Sequence, residues 1–225
     1  MDILKQMQTL DLFQGLPAEK LKALSEHARY RTYKAGEMFL GELDPAHAFY
    51  VIVTGQVKLY KSSPEGREQT LNLLRPGDPF GMCTAFAIDS FPANAMALED
   101  SSLLLIPGTV MEAVAMQEPR LLVNIIQVLS DRLRESMILI ESLSLKELPQ
   151  RLASFLLHAQ RMEGAQANQL ELTVTQRELA KILGATPEAL SRGIRKMSNA
   201  GLLAVDGRSI RILDREALSE LAEGE

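Results

Sequence analysis

The chain has 225 residues, a size for one large domain or two ordinary ones, and its 46 % hydrophobic content is ample for buried cores. One cysteine excludes an internal disulfide and a Cys-x-x-Cys site, and three histidines leave little for a metal centre. The net charge of −5 speaks against nucleic acid, but the ten basic and ten acidic residues from Gln150 onward cancel, so the deficit lies wholly upstream and a local basic face can outweigh the sum.

The start, MDILKQMQTL, shows no basic region followed by an apolar run, so no signal peptide is expected. No stretch reaches the roughly 18 apolar residues of a membrane span, so a cytoplasmic protein without a membrane partner is expected. Leu21 and Leu24 recur at helical spacing behind Pro17, which predicts a short helix before Ala28. From Arg29 to Ile106 the pattern becomes β-rich. The runs VIV, VKLY and LNLL read as strands, and Gly36, Gly55, Gly66 and Gly77 punctuate them. Short strands with regular turn signals predict a double-sheet roll able to enclose a small ligand. Such rolls also house metal enzymes, which need a His/Glu cluster. His47 is the only histidine in this stretch and no His-x-His occurs, so no enzyme is expected.

The segment from Glu118 to Leu145 is a long helical stretch with Pro119 in its first turn. Leu122, Ile126, Leu129, Leu133, Ser136, Ile140 and Leu143 follow one another at alternating fours and threes, the seam spacing of a coiled coil. The seam predicts a homodimer; packing on its own domain is the plainer alternative. Another helix is expected over Leu148 to Met162, with Leu152, Phe155, Leu156 and Ala159 inward, and then a loop, EGAQANQ.

Thr173 to Gly201 reads as two helices joined at Gly184. Thr175 with Glu178 makes a capping box for the first. Thr186 caps the second and Pro187 takes its first position. Leu190, Ile194 and Met197 should face inward, and Glu188, Ser191, Arg192, Arg195 and Lys196 outward, with Gly201 as a left-handed cap. An ordinary surface hairpin of helices is the bland reading. Against it, Arg192 can fork onto guanine and Glu188 can accept from a cytosine amino group. LLAVDGRSIRIL then reads as a hairpin wing around Asp206-Gly207, with Arg208 and Arg211 available for phosphates, and the chain closes on an acidic tail, EALSELAEGE. This is a winged helix-turn-helix for double-stranded DNA. Pro187, Glu188, Ser191 and Arg192 are the base-reading candidates; Thr175, Gln176, Arg195, Lys196 and Arg208 are the phosphate candidates. A module that docks protein instead of DNA is the rival reading. The fold class is α+β: a β-roll sensor domain at 1–117, a dimerisation helix at 118–146 and the winged helix-turn-helix at 147–225.

Roll, long helix and reader in this order resemble the CRP/FNR superfamily of bacterial transcription regulators. The turns TGQVKLY and RPGDPFG and the triplet Glu188-x-x-Ser191-Arg192 carry the resemblance. It implies a jelly-roll (double-stranded β-helix) domain like those that bind cyclic nucleotides, and RNA polymerase as a partner if the protein activates. The triplet is similar to the FNR-type reader, which implies palindromes with TTG-type half-sites about 34 Å apart. Cyclic-nucleotide members carry Gly-Glu and Arg-Ser; here Gly81-Met82 and Ala93-Asn94 stand instead, and a buried phosphate without its arginine is costly. The resemblance therefore argues against a cyclic nucleotide. Cys83 alone cannot ligate an iron–sulfur cluster. The stretch DPAHAFYVIVTGQVKLYKSSPEG is similar to the nitric-oxide-responsive branch, that of the dissimilatory nitrate respiration and hybrid-cluster-protein regulators. That implies nitric oxide sensing through haem b, with His47, His158, Met82 and Cys83 as candidate ligands. Each has a plainer role: His47 in a loop, His158 near a helix end, and Met82 and Cys83 as core packing. A Cys83 redox switch, or another small ligand, is the alternative input.

Overall fold

The computed structural model describes residues 2–45, 47–86, 90–163 and 169–224, except for the side chains of residues 84, 85, 162 and 163. The chain forms two compact units, Met1–Glu135 and Ser136–Glu225, and the division falls inside the long helix rather than at its start.

The first unit opens with two helices, α1 (Ile3–Gln8) and α2 (Ala18–His27). The first was not expected from the sequence; Asp2 caps it by accepting from the backbone N–H of Leu4 at 3.1 Å. Eight strands follow. They are β1 (Arg29–Tyr33), β2 (Met38–Leu40), β3 (Ala48–Thr54), β4 (Val57–Ser62), β5 (Glu68–Leu74) and β6 (Pro79–Phe80), then a short helix α3 (Met82–Phe86), then β7 (Asn94–Ala97) and β8 (Ser101–Pro107). They pair antiparallel into two four-stranded sheets, ordered β1-β8-β3-β6 and β2-β7-β4-β5. The unbroken apolar runs of β3 and β8 are explained by burial of their sheet on both faces. Phe49, Val51, Leu104 and Ile106 pack with Leu12, Phe13 and Leu24 of the helical layer. Their neighbours Ile52 and Leu103 turn the other way, onto Val57, Leu74 and Ala95 of the second sheet. This alternation is the strand period of two applied to a double-sided core.

A further helix, α4 (Gly108–Ala115), was not anticipated, although Met111 and Val114 give it a buried face. Then comes α5 (Pro119–Leu145). Its first turns belong to the first unit: Leu121, Asn124 and Ile125 are buried there, and the Asn124 amide donates to the carbonyls of Leu12 and Gln14 at 2.9 and 3.0 Å.

The second unit contains α6 (Leu148–Glu163), β9 (Gln169–Glu171), α7 (Gln176–Ile182), α8 (Pro187–Asn199), β10 (Leu203–Asp206), β11 (Ser209–Ile212) and α9 (Arg215–Glu223). The loop expected after α6 lies almost entirely at 164–168, outside the described residues. The three strands form one sheet, ordered β10-β11-β9. Two expectations are corrected. The hairpin loop is Gly207-Arg208 rather than Asp206-Gly207, because Asp206 still pairs with Ser209 in the ladder. Gly207 takes a φ of 59° at the first loop position, where a two-residue loop of the II′ kind needs glycine. The acidic end is no tail: Asp214 accepts from the backbone N–H of Ala217 at 3.0 Å and starts α9, whose Leu218 and Ala222 are buried.

Candidate nucleic-acid interface

The second helix of the reader is set by short-range chemistry. The Thr186 hydroxyl accepts from the backbone N–H of Ala189 at 3.2 Å, and Pro187 occupies the first turn, where no backbone donor is needed. At the other end the N–H of Leu202 reaches the carbonyl of Met197 and that of Gly201 the carbonyl of Ser198, both at 3.0 Å. Gly201 has a φ of 76°, so this is a Schellman cap with glycine in its left-handed position. Leu190, Ile194 and Met197 are buried and fix the rotation of α8 about its axis. That rotation leaves Pro187, Glu188, Ser191, Arg192, Arg195 and Lys196 exposed.

The helix before it is built the same way. Thr175 accepts from the N–H of Glu178 at 3.2 Å. The Glu178 carboxylate takes a hydrogen bond from Lys181 at 2.8 Å. Leu179 and Leu183 are buried, and Gly184 turns the chain with a φ of 59°. Thr175, Gln176 and Arg177 stay exposed at the N-terminal end of α7. The Ser198 hydroxyl donates to the carbonyl of Leu203 at 3.1 Å, which ties the end of α8 to the first wing strand. Arg208 is exposed at the tip of the wing and Arg211 on β11.

Electrostatics favour an ionised acceptor at the start of α8. A hydrogen bond from its own backbone N–H, then the Thr186 hydroxyl, then the nearby charge of Arg192 hold the Glu188 carboxyl below the usual carboxylate range. Glu188 and Arg192 lie four apart, so the two exposed groups share one face of the first turns of α8. That face offers an acceptor beside a forked donor, the pair that reads a cytosine amino group and a guanine edge.

The first unit has a different character. Between its sheets the rings of Tyr33 and Phe39 stack at 4.1 Å and those of Tyr50 and Phe80 at 4.7 Å, and Phe91 meets Phe80 edge-on at 6.2 Å. Gly81 is required where it stands. Its φ is 86°, and a Cβ would lie 2.6 Å from the carbonyl oxygen of Ala48 and 2.9 Å from the Tyr50 ring. Ala93 is buried in this apolar layer. The buried Asn94 is engaged by the fold, accepting from the N–H of Glu42 at 3.0 Å and donating to the carbonyl of Tyr60 at 3.4 Å.

The four haem-ligand candidates fall in different surroundings. His47 is exposed in the segment before β3, and His158 is exposed on α6 in the second unit. Met82 is buried, but in the helical layer with Phe49 and Met111 rather than between the sheets. Cys83 is exposed, which corrects the expectation of core packing. The apolar layer between the sheets is built from Leu40, Tyr50, Ile52, Phe80 and Phe91 with their neighbours. Among the described residues no group of three or more His, Cys, Asp or Glu side chains is placed to hold a metal ion. No helix among them is long and apolar enough to cross a membrane.

The seam of α5 is turned to solvent. Ile126, Leu133 and Ile140 are 59 %, 64 % and 64 % exposed, and Leu122 and Leu129 are exposed too. Ser136 is exposed and Leu143 half-buried. Met137, outside the expected seam, adds a further exposed apolar side chain.

Residues 30–118 match the family described as the cyclic nucleotide-binding domain, and residues 150–221 match the Crp-like helix-turn-helix domain. The chain is 30 % identical over 214 residues to the transcriptional activator protein Anr of Pseudomonas protegens, a match covering 93 % of this chain and 87 % of the relative. It is 26 % identical over 214 residues to the CRP-like cAMP-activated global transcriptional regulator of Mycobacterium tuberculosis, covering 94 % and 96 % of the two chains. The structure of FixK2 from Bradyrhizobium japonicum superposes with a TM-score of 0.76 at 30 % identity, covering 86 % of this chain and 96 % of that one.

Proposed function

The chain belongs to the CRP/FNR family of DNA-binding transcription regulators, and from that premise we propose that it works as a homodimer reading palindromes with TTG-type half-sites. The observation that carries the half-site reading is the exposed Glu188, Ser191 and Arg192 face on a helix locked at both ends and along its buried side. Arg192 forks onto the guanine of the half-site, Glu188 accepts from a cytosine amino group, and Pro187 and Ser191 shape the contact. Thr175, Gln176, Arg195, Lys196 and Arg208 meet phosphates and set the register. The seam Leu122, Ile126, Leu129, Leu133, Ser136, Ile140 and Leu143 joins two chains, so that two reader helices sit about one helical turn of DNA apart, roughly 34 Å. As an activator the dimer would also meet RNA polymerase.

The effector of this proposal is a small molecule acting on the roll, and not a cyclic nucleotide. Ala93 packs into the apolar layer and Asn94 is tied to Glu42 and Tyr60, so neither offers a cyclic phosphate a cation. Haem and nitric oxide rest on the resemblance alone, through the candidates His47, His158, Met82 and Cys83, and form no part of this proposal. The binding reading is tested by selection from a random-sequence duplex library with the full-length protein. Enrichment of a two-fold palindrome with TTG in each half-site is the expected result. Enrichment of an unrelated sequence, or of none, overturns the half-site reading.

A further inference from the structure

The helix α5 carries two stripes. One is the solvent-facing seam. The other faces the roll and runs through Leu121, Asn124, Ile125 and Val128, which pack into the helical layer. One turn further on, that roll-facing stripe changes character and becomes polar at Arg132 and Glu135. The Arg132 guanidinium donates through Nη1 to Asn72 Oδ1 at 2.9 Å and to Glu135 Oε2 at 2.8 Å. Asn72 Nδ2 closes the triangle by donating to the same Glu135 oxygen at 2.8 Å. The Nη2 of Arg132 lies 3.8 Å from Asp78 Oδ1, and Asp78 itself holds the turn between β5 and β6 by accepting from the N–H of Arg75 at 2.8 Å. Asn72 pairs with Leu59, on the side of β5 that faces the other sheet.

We propose that Arg132, Asn72 and Glu135 form a latch that sets where α5 leaves the roll, and so positions the reader helices for DNA. Three observations converge on it. The packing of α5 in the helical layer runs to Val128, and the polar set joins the helix to β5 one turn further on. All three residues belong to the compact first unit, so the contact lies within the unit that holds the roll. Arg132 is about a quarter exposed, with Asp78 and Glu135 more so, and hydrogen bonds and ion pairs at such a site exchange readily for water, whereas a buried apolar contact does not. A single latch of this kind has two discrete arrangements, closed and open, which is what a population shift requires. Asn72 gives a change in β5 a direct route to α5, through its bonds to Arg132 and Glu135. The residues are positioning residues, since none of them lies in the unit that carries the reader.

The proposal rests on the DNA-reading function and is tested so that the two can fail separately. Full-length Asn72→Ala, Arg132→Ala and the double variant are compared with the native protein by amide hydrogen exchange and by titration of a duplex palindrome with TTG half-sites. The amides of residues 129–136 should exchange faster in each single variant, those of 121–127 should not, and the double variant should go no further than either single one. Duplex affinity should move by on the order of fivefold or more, in one direction for both single variants, with no addition in the double one and the dimer intact in sedimentation. Additive effects, unchanged exchange at 129–136, or unchanged affinity would each overturn the latch. Should native protein ignore the palindrome, the half-site reading falls and the exchange comparison alone decides the latch. If Arg132→Ala does not fold, Glu135→Gln removes the charge at the shared acceptor and makes the same test.

Discussion

At the scale of single residues, the reader depends on positions that touch no base. Thr186 holds the first turn of α8 through one hydrogen bond to Ala189. Thr186→Ala should cost about 1 kcal/mol in urea unfolding of the chain, the usual worth of such a cap, while the dimer and the roll stay as they are. Glycine matters where the backbone is crowded. Gly55 has a φ of 87°, and a Cβ there would stand 2.6 Å from the backbone of Ser101. Gly55→Ala should therefore lower stability by roughly 1–3 kcal/mol or more, whereas Gly66→Ala, with open space around its Cβ, should cost only the left-handed backbone strain. Glu188 gives a pH expectation. Its folded pKa is depressed by the hydrogen bond from its own backbone N–H first, and by Thr186 and Arg192 after that. The charge it presents is thus complete at neutral pH and is lost only as pH falls through that depressed value. Base preference at its position, measured by competition titration, should be flat across neutral pH and fade only in acid. A preference that changes around neutrality would remove Glu188 from base reading.

At the scale of elements, α5 and α9 show what periodicity can and cannot reveal. The seam of α5 leaves Ile126, Leu133 and Ile140 more than half exposed, and covering each such side chain is worth on the order of 1.5–3 kcal/mol. Members of the CRP/FNR family act as dimers, and Leu129→Glu with Leu133→Glu should turn this chain into a monomer in sedimentation and abolish palindrome binding with it. A dimer that survives both changes would place the interface elsewhere. The reader was legible in the sequence because everything that builds it is local: Thr186 to Ala189, Pro187, the spacing of Leu190, Ile194 and Met197, and Gly201. The wing was read one residue out, since Asp206-Gly207 and Gly207-Arg208 are equally good loop strings until the pairing of Asp206 with Ser209 decides. The final helix was hidden by composition, because the acidic residues of EALSELAEGE drew attention from the buried pair Leu218 and Ala222, four apart. Cys83 beside Met82 read as core, yet the two side chains point to different surroundings, a distinction that depends on how α3 sits against β3. The Arg132–Asn72 contact spans sixty positions and left no trace in any local pattern.

At the scale of the whole molecule, a chain with a net charge of −5 must bind a polyanion through one face. Its affinity should fall steeply with salt, and each phosphate contact removed should lessen the log–log slope by about 0.9. Arg208→Ala at the wing tip should weaken all duplexes alike and reduce that slope by roughly one such step, without changing sequence preference. The most direct test of the central claim is a cycle in which native protein and Arg192→Ala are each titrated against the TTG palindrome and against the same duplex with that guanine replaced. Native protein should lose roughly 1–3 kcal/mol on the replacement, and Arg192→Ala should bind the two duplexes alike. If Arg192→Ala still prefers the guanine as strongly as the native protein does, Arg192 does not read it and the account of α8 is wrong.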